Sequence, residues 1–234
     1  MRINKYLALC SIASRRKAEQ LVLDGKVEVN GEICTNLATD ILDNDIVKVN
    51  GVPAVLPNDY EYYMLNKPKG YVSSVKDDRG RKTVVSLINT NTRIFPVGRL
   101  DYDSEGLLLL TNDGELTYKL THPKHEIEKT YIVKIEGELS KAEISKLENG
   151  VVIDNNAKLS HCKITIDSVK NNITRLVIVI HEGKNREIRK MFEAFNKTVI
   201  LLKRIKIAKL SLGGLNRGEY RHLTNKEIGY LKSL

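Results

Sequence analysis

The sequence predicts an α+β protein. A small N-terminal module of two helices and two strands precedes a larger domain whose mixed, mainly antiparallel sheet is flanked by helices. Three observations lead there. Beyond residue 60, strand-like segments outnumber helical ones. Some are joined by hairpin signals, as where Lys170-Asn171-Asn172 separates HCKITIDSV from TRLVIVIHEG, which suits an antiparallel sheet better than a doubly wound one. Between the two parts, GVPAVLPNDY carries two prolines and no clear period. The expected domains are therefore 1–50 and 60–234, with a linker over 51–59.

In the first part, Tyr6, Leu7 and Leu9 suggest a short helix. Ser14 is placed as the N-cap of a second, with Arg15, Arg16 and Lys17 in its first turn and Ala18, Leu21 and Val22 as its apolar stripe. That helix stops before Gly25. KVEVNG and DIVKVNG alternate as strands, each ending at Asn-Gly. Three cations at a helix start oppose the helix dipole, and become favourable when phosphate lies against them.

In the second part, EYYMLNKP reads as a strand and residues 83–88 as a short helix. RIFPVGRLD and GLLLLTND read as strands or extended segments, and GELTYKLTHP as a helix closed at Pro123. KTYIVKIEG is a strand and SKAEISKLENG a helix ended by Gly150. After the hairpin come a helix in NREIRKMFEAFN, one or two strands in TVILLKRIKIAKL, and a closing helix in NKEIGYLKSL.

With 234 residues, 41% of them hydrophobic, the chain is long enough to build more than one core. The three cysteines are far apart and form no CxxC, so neither a disulfide framework nor a zinc site is expected. The five histidines do not cluster with acids or cysteines at ligand spacing. Arg2, Asn4 and Lys5 lead into a mixed segment and no apolar run approaches ~20 residues, so neither a secretion signal nor a membrane partner is expected, and the cytoplasm is the expected compartment. The net charge is +9, and residues 163–234 hold 16 Lys/Arg against 6 Asp/Glu while the rest of the chain is balanced. A basic excess confined to one part is the footprint of a polyanion-binding face.

GRLDYDSEGLLLLTNDG, residues 98–114, concentrates the chemistry. Asp101, Asp103 and Glu105 crowd against four leucines, and acid beside an apolar strand is costly unless paired or used. D-x-D-x-E-G copies the start of a calcium loop, but Asn112 occupies the twelfth position where a bidentate Glu is needed, and the loop interior is apolar. Calcium is discarded. In the helix over 186–195, Ile188, Met191, Phe192 and Phe195 share the core face and Arg189 borders it. A partly buried Arg needs an acid partner, and an acid beside an Arg stays ionised. Arg186 and Lys190 point further out. Tyr131 shares a strand face with Val133 and Ile135. Taken singly, the helix reads as an ordinary amphipathic one, the tyrosine as core, and Lys67 before Pro68 as a basic turn.

RINKYLA…ASRRKAEQLVLDGKVEVNG resembles the S4 RNA-binding module, an αL-like fold, although Cys10 stands where the module usually has Gly. The resemblance gives RNA-backbone contact to Arg15, Arg16 and Lys5. GRLD with Asp101, KTY with Tyr131 and EGKNREIRKMF with Arg189, together with LNKPKGYVSS, resemble the motifs of pseudouridine synthases, and the domain order is that of the RsuA/RluB group acting on ribosomal RNA. NREIRKMFEAF is closer to the large-subunit branch of that group, with Glu187 where many relatives carry Gln.

The resemblance implies isomerisation of uridine to pseudouridine without cofactor or metal. Asp101 would be the catalytic carboxylate, as nucleophile or as base. Arg189 would pair with Asp101. Tyr131 would stack on the flipped uracil and assist proton removal, and Arg99 would lie near the space that the base vacates. A flipped base costs a few kcal/mol, which contacts from Lys67, Lys184, Arg186, Lys190, Lys203 and Arg204 would offset. Asp103 and Glu105 would shape the loop. The expected partner is ribosomal RNA, of the large subunit or its assembly intermediate, and the expected state a monomer. The competing readings are a small-subunit target, a non-catalytic RNA-binding protein, and a two-carboxylate hydrolase, the last disfavoured by the basic bias and by the ~5–9 Å carboxylate separation that such enzymes need.

Overall fold

The computed structural model describes residues 1–57, 59–153, 157–158 and 161–234. Asn58, inside the expected linker, lies outside them. The chain forms two compact units, one of residues 1–61 with 90–93 and 112–114, the other of the remainder.

In the first unit, α1 (Ile3–Leu9) and α2 (Arg15–Leu23) precede β1 (Val27–Val29), β2 (Glu32–Ile33), β3 (Val47–Val49) and β4 (Val52–Pro53). Ser14 caps α2, its side chain accepting from the Lys17 amide. The strands form an antiparallel sheet in the order β2-β1-β3-β4. Each Asn-Gly that the sequence marks as a strand end is the turn of a hairpin. Asn30-Gly31 and Asn50-Gly51 have positive φ at both residues, the condition for a tight type I′ turn. The two expected strands are thus four, and the segment read as linker opens with β4. Pro53 is tolerated there because β4 is an edge strand. Ile3, Leu7, Ala18, Val22, Val27, Val47 and Ala54 form the core.

The second unit contains β5 (Tyr62–Lys67), β6 (Phe95–Pro96), β7 (Glu105–Thr111), α3 (Gly114–Thr121), β8 (Lys129–Glu136), α4 (Lys141–Glu148), β9 (Val152–Ile153) and β10 (Ala157–Lys158). It continues with β11 (Cys162–Lys170), β12 (Ile173–Ile180), α5 (Glu187–Glu193), β13 (Val199–Ile207), β14 (Leu210–Ser211), β15 (Tyr220–His222) and α6 (Asn225–Ser233). The short helix expected near residue 84 is a 3-10 turn over Val84–Leu87, and only Phe95–Pro96 of RIFPVGRLD is strand. The main sheet runs β11-β12-β8-β13-β7-β5-β15, with β14 on β13 and β6 on β7. Its pairs are antiparallel except β13 with β7. No helix among the described residues is long and apolar enough to cross a membrane.

The leucine run explains why the sheet is covered on both faces. Leu108 and Leu110 pack with Leu147 of α4 and with Ile188, Met191 and Phe192 of α5. Leu107 and Leu109 pack with Leu116 and Leu120 of α3 and Leu231 of α6. Alternation along a strand sends successive side chains to opposite faces, so β7 is buried at every position.

Registry then sets up one row of residues across the sheet. Ile164 pairs with Ile178, Ile178 with Tyr131, Tyr131 with Arg204, Arg204 with Gly106, and Gly106 with Lys67. Directly paired residues share a face, so Tyr131, Arg204 and Lys67 stand in line on the α5 side, with Gly106 leaving a gap. A Cβ at Gly106 would overlap the Arg204 carbonyl oxygen and lie 2.7 Å from its amide nitrogen, and the glycine has φ +107°. Gly106→Ala is therefore expected to lower stability by about 3 kcal/mol. Gly229→Ala, on an open stretch of α6 with no atom near the new Cβ, is expected to raise it by about 0.5–1 kcal/mol. Urea denaturation measures both, and equal midpoints would contradict the close approach of β7 and β13.

Candidate active site

The row opens onto a cavity of about 330 Å³. Its walls are the loop before β7 with Asp101, Lys129 and Tyr131 of β8, Leu202 and Arg204 of β13, and the 181–188 segment leading into α5.

The Asp101 loop is fixed from below. Leu100 is buried, and its backbone exchanges hydrogen bonds with Ser73, which donates from Oγ to the Leu100 carbonyl at 2.8 Å and accepts from the Leu100 amide at 3.1 Å. The Ser104 amide donates to the Asp101 carbonyl at 3.1 Å, closing a turn. Beneath that turn lies Lys67, fully buried. Its ammonium donates to the carbonyls of Asp101 at 2.9 Å, Ser104 at 2.8 Å and Pro68 at 3.1 Å. Those are all the donors an ammonium has. The backbone of the loop is thus held while the Asp101 side chain stays 31% exposed. Burial pulls the Lys67 ammonium down to about 8, against the opposing pull of Asp103, Asp101 and Glu105.

Arg189 reaches the loop from α5 and is 7% exposed. Its Nη1 donates to the Val199 carbonyl at 3.1 Å, and its Nη2 lies 2.8 Å from Asp103. Its Nε lies 3.9 Å from Asp101 and has no hydrogen-bond partner among the described residues. The structure therefore brings Asp101, Tyr131 and Arg189 to one place, with Asp103 rather than Asp101 as the closer partner of the arginine. Glu105 is buried and pairs with Arg217 at 2.8 Å, a residue that sequence reasoning did not single out.

Lys129 and Glu187 were also missed as members of the cavity wall. Lys129 donates to the His181 carbonyl at 2.9 Å, and burial lowers its ammonium to about 8. It lies two residues before Tyr131 on the same strand face, so extending the alternation back along β8 finds it. Glu187 accepts from the Lys184 amide at 3.0 Å, and burial raises its carboxyl above the usual carboxylate range.

The residues expected to touch RNA are scattered. Arg99, Lys184 and Arg186 are exposed and line the cavity. Lys190 is half-buried on α5, away from the cavity wall. Lys203 alternates with Leu202 and Arg204 and so faces the opposite side of the sheet. In the first unit, Arg15 and Arg16 are exposed and Lys5 is half-buried. Two expectations need correction. Lys67 is not an RNA contact, because its ammonium is buried under three carbonyls. Arg204 is not a backbone contact either, being 4% exposed with its Nε donating to the Leu107 carbonyl at 2.7 Å. Lys67→Met leaves three carbonyls without their donor and is expected to cost about 2–4 kcal/mol in urea denaturation. An unchanged midpoint would show that the ammonium does not hold the loop.

Known proteins resemble this chain along its whole length. Residues 61–194 match the RNA pseudouridylate synthase family and residues 1–47 the S4 domain. Ribosomal large subunit pseudouridine synthase B of Bacillus subtilis is 44% identical, covering 100% of this chain and 96% of the relative. An RNA pseudouridine synthase of Aquifex aeolicus is 40% identical, covering 99% and 93%. A crystal structure of a pseudouridylate synthase superposes with a TM-score of 0.72 at 29% identity, covering 99% of each chain. The chain belongs to the RNA pseudouridylate synthase family and is an RNA-modifying enzyme with an S4 domain at its N-terminus.

Proposed function

We propose that this enzyme isomerises a uridine of large-subunit ribosomal RNA to pseudouridine, with Asp101 as its catalytic carboxylate. The observation that carries the reading is that Asp101 and Tyr131 line one cavity of about 330 Å³ while Arg189 reaches the Asp101 loop from α5. That volume suits a single base turned out of its stack. The choice of the large subunit rests on the Bacillus relative, which is similar along the whole chain.

In this reading the uridine enters the cavity base first. Asp101 begins cleavage of the C1′–N1 bond, by attack or by taking a proton, and both routes need its carboxylate at the cavity rim. Arg189 balances the charge of the acidic loop through Asp103 and Asp101. Tyr131, in the cavity wall, stacks on the freed uracil, which turns over and joins C1′ through C5. The C5 proton then leaves through the Tyr131 hydroxyl, which passes its own proton on to solvent as it takes this one up. Arg99, Lys184 and Arg186 at the rim hold the flanking phosphates. Arg15 and Arg16 in the first turn of α2 give the S4 domain its own grip on the backbone, where phosphate offsets the unfavourable placing of cations at a helix start. The same reading has the enzyme working as a monomer in the cytoplasm.

Release of tritium from RNA labelled at uridine C5 measures the reaction. Asp101→Asn is expected to lower the rate by about 1000-fold or more, with RNA affinity within about twofold of wild type. A wild type that releases no tritium from ribosomal RNA lacking the modification would leave only an RNA-binding protein. Arg15→Ala with Arg16→Ala is expected to weaken RNA binding and reduce the slope of log affinity against log salt by roughly 1.5. An unchanged slope would remove the phosphate role of α2.

A further inference from the structure

We infer that Arg204 is a catalytic residue that holds the negative charge which the uracil ring acquires when its glycosidic bond breaks. The inference rests on the cavity being the site of uridine isomerisation.

Arg204 is a buried cation without an anion. It is 4% exposed, and among the described residues no carboxylate pairs with it. Nε donates to the Leu107 carbonyl, Nη1 lies 3.5 Å from the Tyr131 hydroxyl, and Nη2 has no acceptor among the described residues. Arg189 differs, with Asp103 and Asp101 beside it. A charge removed from water with only neutral oxygens as its partners is costly, and leaving Nη2 without an acceptor adds to that cost. The fold nevertheless holds it in place. The Arg204 backbone is pressed against Gly106, where any side chain would collide, and is registered with Tyr131 on the other side. Arg204 is also close enough to Lys67 and Lys129 to disfavour their charged forms. Arg204 and Lys129 therefore put positive charge in the cavity wall, Lys129 with Glu187 and Glu182 near it and Arg204 with no carboxylate paired to it among the described residues, and Asp101 lines the same cavity.

The reaction supplies the missing anion. When the C1′–N1 bond breaks, its electron pair stays on N1, and the charge spreads over the ring to O2 and O4. On the attack route Asp101 bonds the electron-poor C1′, and that bond breaks as C5 bonds to C1′, which returns the ring to neutrality; C5 then loses its proton and N1 gains one. The anion exists only between these events. A rigid, planar, permanently charged guanidinium, itself buried in the cavity wall, matches a planar anion whose charge lies on ring-edge oxygens. A cation held there before the reaction needs no reorganisation when the charge appears. Its burial also explains why it does not serve the phosphate backbone.

Single-turnover pseudouridine formation on ribosomal RNA, with RNA affinity measured alongside, tests the assignment. Arg204→Met is expected to lower the rate by about 100-fold or more and Arg204→Lys by about 10-fold, with affinity within about twofold of wild type. RNA carrying 5-fluorouridine at the target adds a readout that a structural role would not move. Fluorine makes uracil a better-stabilised anion, so cleavage of that substrate is expected to be less impaired by either substitution than cleavage of ordinary uridine. If Arg204→Met destabilises the protein, the same ratio is read from Arg204→Lys. Equal slowing on both substrates, or a Met variant within about threefold of wild type, would overturn the assignment alone. An inactive wild type would overturn the reading of the cavity and this assignment with it.

Discussion

The catalytic end of this molecule depends on a single buried ammonium. Lys67 ends β5, and its charge is surrounded by the carbonyls of Pro68, Asp101 and Ser104. A loop carrying three acids in five residues has every electrostatic reason to spread into water. The ammonium opposes that from beneath, binding the loop through its backbone and leaving the carboxylate of Asp101 partly exposed. Three charge-assisted hydrogen bonds offset the cost of burying Lys67, and burial still shows in its lowered affinity for a proton.

The rest of the site is built by the sheet. Because paired residues on neighbouring strands share a face, the row from Ile164 to Lys67 places Tyr131 and Arg204 beside the loop without any help from loops or termini. Gly106 is the point where the row is narrowest. Its missing side chain admits the Arg204 backbone and makes possible the parallel pairing of β13 with β7. α5 covers the same face through Ile188, Met191 and Phe192, and that packing delivers Arg189 to Asp103 and Asp101. Stability and chemistry therefore share the same residues along β7, β8 and β13.

Much of this was legible in the sequence because it rests on local signals. Ser14 announces α2, the Asn-Gly pairs announce turns, and the alternation of KTYIVKIEG and TRLVIVIHEG announces β8 and β12. The motifs around Asp101, Tyr131 and Arg189 name residues that come together around the loop before β7. What local signals do not carry is which distant backbones meet. Lys67 and two of its carbonyl partners, Asp101 and Ser104, are separated by more than thirty residues, and only the pairing of β5 with β7 turns a basic-looking KPKG turn into a buried clamp. Arg204, within KRIK, looks like one more cation of a basic strand until alternation and the neighbouring Gly106 bury it. The preference of Arg189 for Asp103 depends on loop geometry that two acids of the same type, two residues apart, do not disclose.

The central claim is that a uridine of ribosomal RNA is isomerised in the cavity beside Asp101. Mapping pseudouridine along both ribosomal RNAs, from cells with the gene, without it, and with the gene carrying Asp101→Asn, addresses that claim directly. The account predicts one pseudouridine in the large-subunit RNA that is present only with the wild-type gene. Identical maps from all three would contradict it.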